Sequence, residues 1–179
     1  GLVALAPALR RRPALEQLIL VGNPFSDEGL AALVALPPPA GTPPLPTGGL
    51  KKLKLLDLED TQVTDVGCAT LASAIDSGAL PALEAIDLED IPASAGAKVA
   101  VHEALHRARE KALRALRALL VQLNLGQFAD AVVYAGYDTP ELLSEMDDEE
   151  LAELASSVGM GPGHNNRLER WLKDGNIAS

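Results

Sequence analysis

Cysteine and aromatic rings are scarce in this chain. The one cysteine, Cys68, cannot form an internal disulfide. Neither it nor the three histidines, His102, His106 and His164, show a recognised metal-site spacing, so no metal and no cofactor is expected. A lone thiol suits a reducing, intracellular setting. Phe, Tyr and Trp together make up 3% of the sequence, so the interior must be aliphatic and nucleic-acid bases find no stacking platform. Positive charge is short as well: 15 Lys and Arg against 25 Asp and Glu give a formal net charge of -10. That balance works against a polyanion, whose counterions are displaced by clustered cations, and no nucleic-acid partner is expected. No apolar run approaches the roughly 20 residues that span a bilayer. No charged-then-apolar leader opens the chain. The expectation is a soluble protein that is not transmembrane, with peripheral membrane association left open.

What is present is leucine, alanine and valine at fixed spacing, within a hydrophobic content of 47%. LEQLILVGNPFSDEGLAAL at residues 15–33 superposes without gaps on LKLLDLEDTQVTDVGCATL at residues 53–71. Leu15, Leu18, Leu20, Asn23, Phe25, Gly29 and Leu33 align with Leu53, Leu56, Leu58, Thr61, Val63, Gly67 and Leu71. A degraded third copy begins at Leu83 and keeps Ile86 and Leu88. Leucines two apart face one side of a strand, and the segments after Ser26 and Thr64 read as helices capped by those residues. A strand-helix unit of this kind exposes an apolar flank that a neighbour must cover. The pattern resembles the leucine-rich repeat, in the long form of ribonuclease-inhibitor-like proteins. The turn Asn23 becomes Thr61 and then Ile91, so a continuous side-chain ladder to the turn backbones is not expected. Residues 1–12 look like the back half of one more unit, and the chain opens at Gly1 without an initiating Met. Either a leader such as a transit peptide has been removed, or the sequence is a piece of a longer chain. The compartment is read as cytoplasmic or organellar and stroma-like.

The resemblance implies a concave sheet that binds proteins. The residues between the strand leucines, Gln17, Ile19, Val21, Leu55, Asp57, Glu59, Ala85, Asp87 and Glu89, should face that open side. They form an apolar patch beside an acidic stripe, and the plainer alternative is a merely solvated face. Strand pairing is expected to space the carboxylates along the surface, which disfavours catalysis or Ca²⁺ binding. From Ala95 to Leu123 nothing breaks a helix. Leu105, Ala112, Leu116, Leu119 and Leu123 mark its buried stripe, and Arg107, Arg109, Lys111, Arg114 and Arg117 its exposed side. The bland reading is a helix that covers the end of the repeats and neutralises nearby carboxylates; the sharper one makes Arg107, Lys111, Arg114 and Arg117 a docking surface for acidic proteins or anionic head groups.

Residues 119–172 run LLVQLNLGQFADAVVYAGYDTPELLSEMDDEELAELASSVGMGPGHNNRLERWL. Leu120, Leu123, Leu125, Phe128, Val132, Gly136, Tyr137, Leu142, Leu143, Leu151, Leu154, Gly159, Met160, Gly163, His164, Leu168 and Trp171 follow the order of a sterile alpha motif (SAM) domain, which this segment resembles. Thr139 before Pro140 reads as an N-cap with proline at the first helical position, and Asp147 with Glu150 as a capping box. Gly159, Gly161, Pro162 and Gly163 should form a turn into the last helix. The SAM resemblance implies head-to-tail contacts between an acidic face, Glu145, Asp147, Asp148, Glu149, Glu150 and Glu153, and the last helix with Gly163, His164, Asn165, Arg167 and Arg170. Asn165 and Asn166 replace residues that are often basic in the family, so self-association should be weak.

The fold expected is thus an α/β leucine-rich-repeat solenoid segment of short parallel strands plus helices, followed by an all-α five-helix SAM-like domain. The divisions read from the sequence are repeats over 1–94 with a Pro-rich loop at 37–49, a basic connecting and capping helix over 95–117, the SAM-like domain over 118–174 and a tail at 175–179. No enzyme is expected, because no set of groups converges as a reacting site requires. The function expected is an adaptor or scaffold whose partners are other proteins, for example a linker subunit in an organellar membrane or photosynthetic supercomplex. The alternative is an inhibitor or regulator that binds a basic protein through an acidic concave face.

Overall fold

The computed structural model describes residues 1–12, 14–34 and 50–174. The expected Pro-rich loop at 37–49 and tail at 175–179 lie outside the described residues. The chain forms two compact units, Gly1–Ala108 and Arg109–Ser179.

In the first unit, helix α1 (Leu2–Leu9) precedes strand β1 (Gln17–Ile19), helix α2 (Asp27–Leu33), strand β2 (Leu55–Asp57), helix α3 (Asp65–Asp76), strand β3 (Ala85–Asp87) and the start of helix α4 (Ala95–Gln122). The strands form a parallel sheet in the order β1-β2-β3. Leu18, Leu56 and Ile86 share one register row. They point into a core with Leu30, Leu33, Leu71, Ile75, Val101 and Leu105 from the helices. The leucine spacing thus sets the inward face of the sheet, and burying each such side chain contributes about 1.5–3 kcal/mol. The third copy is complete in this sense: Leu83, Ile86 and Leu88 are all buried.

Each strand leaves the sheet through one left-handed residue at the same repeat position, Gly22 (φ 69), Asp60 (φ 52) and Asp90 (φ 49). Glycine adopts that conformation without strain, and aspartate is among the few other residues that tolerate it. The amides of Gly22 and Asp60 donate to the carbonyls of Glu59 and Glu89 in the next repeat, at 3.0 and 3.2 Å. Asn23 Nδ2 donates to the Leu20 carbonyl at 3.0 Å, and Thr61 Oγ1 makes the corresponding bond to the Leu58 carbonyl at 2.7 Å. Thr61 keeps the bond because its hydroxyl reaches the carbonyl three residues back; the series breaks off at Ile91, an apolar side chain buried in the core, so the side-chain ladder is not continuous, as the sequence implies.

Adjacent repeats are also tied on the helix side. Asp27, the first residue of α2, accepts from the Thr64 amide (2.8 Å) and the Thr64 hydroxyl (2.7 Å). Asp65, the first residue of α3, accepts in the same way from Ser94, at 2.6 Å from the amide and 2.9 Å from the hydroxyl. Thr64 also caps its own helix by accepting from the Val66 amide. Ser26, expected to cap α2, makes no side-chain cap bond. Its hydroxyl corresponds to those of Thr64 and Ser94, which the aspartates of the preceding helices hold, whereas the preceding helix here begins with Leu2. An alanine Cβ built on Gly29 would lie 3.1 Å from Leu2 Cβ, as one on Gly67 would meet Asp27.

Helix α4 serves both units. Val101, Ala104 and Leu105 lie in the first core, and Leu116 and Leu120 in the second. In the second unit a 3-10 turn (Gly126–Phe128) leads into α5 (Ala129–Tyr134), α6 (Pro140–Ser144), α7 (Asp148–Ser157) and α8 (Pro162–Asp174). The Thr139 side chain accepts from the Leu142 amide with Pro140 in the first turn, and Asp147 and Glu150 form a reciprocal capping box. Leu125, Val132, Leu143, Leu151, Leu154 and Leu168 complete the core. Pro162 and Gly163 were expected in the turn before the last helix but belong to its first turn, where proline's missing N–H costs nothing.

Candidate functional site

Parallel pairing in register lays the sheet residues out in rows. Gln17, Leu55 and Ala85 form one row and Ile19, Asp57 and Asp87 another. Because side chains alternate along a strand, these residues face away from the core whose other side is Leu18, Leu56 and Ile86. Ile19 is 60% exposed and Val21 40%. The open face thus has an apolar flank on the β1 side and carboxylates on β2 and β3.

The carboxylates are not spread out as the sequence reading held. Ligand oxygens of Asp57, Glu59 and Asp87 all lie within 4.8 Å of one another. Two features bring them together. Register sets Asp57 directly opposite Asp87. Each aspartate also accepts from the amide two residues on, Asp57 from Glu59 at 3.1 Å and Asp87 from Glu89 at 2.9 Å, the local Asx geometry that fixes a strand exit. Partial burial, followed by repulsion from Asp87, Asp57, Glu89 and Asp90, raises the Glu59 carboxyl above its ordinary value. Such a face is a field of acceptors that attracts cationic groups. Exposed carboxylates this close are common without an ion, so the spacing alone assigns no metal.

The residues expected to form faces of the C-terminal unit are divided in their roles. Asp147 and Glu150 are engaged in the capping box. His164 Nδ1 accepts from the Gly161 amide at 3.2 Å, and its ring meets Phe128 edge-on at 4.9 Å. Arg167 donates to the Asn124 carbonyl at 3.0 Å, closing the end of α4. Asn165 Oδ1 is buried with no hydrogen-bond partner among the described residues. Gly163 lies in the first turn of α8 and Arg170 further along it, while Asp148, Glu149 and Glu153 lie on α7 and Glu145 just past α6. On α4, Arg107 pairs with Asp76 at 3.1 Å, Arg114 with Glu110 at 3.4 Å and Arg117 with Asp130 at 2.8 Å; Lys111 is exposed. Much of the basic helix is thus balanced by carboxylates of its own unit.

Two features went unread in the sequence. The aspartate ties were signalled by the dipeptides Ser26-Asp27 and Thr64-Asp65 at aligned positions, with Ser94-Ala95 ending the series. Against the expectation of no metal-site spacing among the histidines, His102 and His106 lie one helical turn apart on α4, both exposed. The signal was the segment His102-Glu103-Ala104-Leu105-His106.

A family model described as Leucine Rich repeat matches residues 13–34 and 49–72, the two well-preserved copies. No curated protein matches the chain, and neither does any solved structure. Among the described residues no helix is long and apolar enough to cross a membrane.

Proposed function

We propose that this chain is a non-enzymatic protein-binding adaptor, built on leucine-rich repeats, whose docking surface is the open face of the β1-β2-β3 sheet. The observation that carries this reading is the two-part character of that face: exposed Ile19 and Val21 stand beside the converged carboxylates of Asp57, Glu59 and Asp87. Protein interfaces combine an apolar anchor with charges that steer the encounter. Gln17, Leu55 and Glu89 complete the surface. The second unit is a SAM-like domain in this proposal. Support comes from its five helices, counting the end of α4, and from the positions of Leu125, Val132, Leu143, Leu151 and Leu168 in its core. It would add a second contact through Asp148, Glu149 and Glu153 on one partner and Arg170 on the other, making the chain a scaffold or linker subunit.

The experiment is a comparison of surfaces. Ile19→Asp with Val21→Asp on the sheet, and Val66→Asp on helix α3, are introduced separately into the full chain, and native co-purification is quantified. The adaptor reading expects the sheet variant to lose its partner and the Val66 variant, altered at a residue 66% exposed on the helix side, to keep it. Retention by both overturns it.

The acidity of the face favours a second reading, an inhibitor or regulator of a basic protein. Its binding would be dominated by charge and would weaken steeply between low and physiological salt, whereas an apolar contact would not.

A further inference from the structure

Residues four apart on an α-helix have Cβ atoms about 5–6 Å apart and lean the same way, so two imidazoles at that spacing can meet at one point beside the helix. His102 and His106 stand in this relation on α4, and both are exposed. The Nδ1–H of His102 donates to the Lys98 carbonyl at 2.9 Å. A carbonyl only accepts, so Nδ1 carries a proton, and in the neutral ring the lone pair is then on Nε2. This is the arrangement found behind metal-binding histidines, where a backbone acceptor fixes the tautomer and the ring orientation. Among the described residues, the His106 ring has no hydrogen-bond or ion-pair partner.

The order His-Glu-x-x-His is that of helix-borne zinc hydrolase sites. Such sites need a third protein ligand and an enclosed reacting centre. Among the described residues no third His, Cys, Asp or Glu ligand atom joins these two histidines, and the pair faces solvent. The geometry therefore points to a binding site and not to a hydrolytic one. We propose that His102 and His106 form a two-histidine site for a divalent cation of the zinc class, with Nε2 of His102 and a ring nitrogen of His106 as protein ligands and water in the remaining positions. Imidazole suits Zn²⁺, whereas Ca²⁺ prefers oxygen ligands.

The test is calorimetric titration of zinc chloride into the full chain in a non-coordinating buffer, with far-UV circular dichroism to check that each variant is folded. Two ligands should give a single site with Kd on the order of 1–100 µM, weaker than four-ligand structural zinc. His102→Asn and His106→Asn should each weaken it by at least about tenfold. The double variant Asp57→Asn/Asp87→Asn, which dismantles the carboxylate group on the sheet, should leave it unchanged, and calcium chloride should give no heat that depends on the histidines. The proposal is overturned if zinc fails to bind below about 1 mM, if the histidine variants bind as the parent does, or if the sheet variant is the one that loses the site.

Discussion

Replacing Gly67 with alanine should loosen the tie between the first two repeats. A Cβ at this position would lie 2.3 Å from Asp27 Oδ1 and 2.6 Å from Val63 Cγ1. Val63 is fully buried and cannot retreat, so the Asp27 carboxylate has to move, which breaks its bonds to the Thr64 amide and hydroxyl. Hydrogen bonds to a charged group contribute about 1.5–3 kcal/mol, and forcing an extra carbon into a packed site costs about 1–3 kcal/mol. Alanine's better helix propensity returns about 1 kcal/mol. The net loss expected is about 2–4 kcal/mol, read from urea unfolding by far-UV circular dichroism, with Trp171 fluorescence following the second unit separately. Gly29→Ala is the control, because its nearest neighbour is Leu2 Cβ at 3.1 Å; it should stay within about 1 kcal/mol of the parent. Asp27→Ala removes the atom that clashes, so the double variant Asp27→Ala/Gly67→Ala should cost less than the sum of the singles by about 1–2 kcal/mol. A Gly67→Ala chain as stable as the parent, or strict additivity in the double variant, would refute the reasoning.

Asp65 is held below its ordinary value of 3.8 by the Ser94 amide and hydroxyl. A lowered carboxylate contributes stability that is present above the unfolded value and disappears as pH falls through the folded one. Asp65→Asn should therefore melt below the parent at neutral pH and converge with it in acid, as melting temperatures across pH 2–7 would show. Glu59 has the opposite sign: its raised carboxyl penalises the fold increasingly as pH rises above the ordinary value of 4.5. Glu59→Gln should raise the melting temperature at neutral pH, with the gain gone once the medium is more acidic than that value. Thr139→Ala removes a buried cap and should cost about 1 kcal/mol, measured by the Trp171 unfolding midpoint. Arg167→Ala frees the Asn124 carbonyl and should cost about 0.5–1.5 kcal/mol by the same measurement.

The leucine alignment was enough to place β1, β2 and β3 and to identify Leu18, Leu56 and Ile86 as inward residues, because a two-residue period has only one way to face a core. Local capping chemistry located α6 and α7 for a similar reason: Thr139-Pro140 and Asp147 with Glu150 act within one turn. Contacts between repeats were not legible in the same way. Asp27 looks like an ordinary first-turn acid until the neighbouring Thr64 is brought beside it, 37 residues away in sequence. The convergence of Asp57, Glu59 and Asp87 likewise depends on strand register, which fixes who stands opposite whom. The basic character of α4 was plain, but its pairing with Asp76 and Asp130 arises only in the folded units.

The proposed docking surface for another protein is the open sheet face. Hydrogen-exchange mass spectrometry of the full chain, alone and in its natively isolated complex, tests this directly. Slower exchange on binding is expected in peptides covering residues 17–21, 55–59 and 85–89, with helices α2 and α3 unchanged. Protection confined to those helices, with the three strand segments exchanging as in the unbound chain, would contradict it.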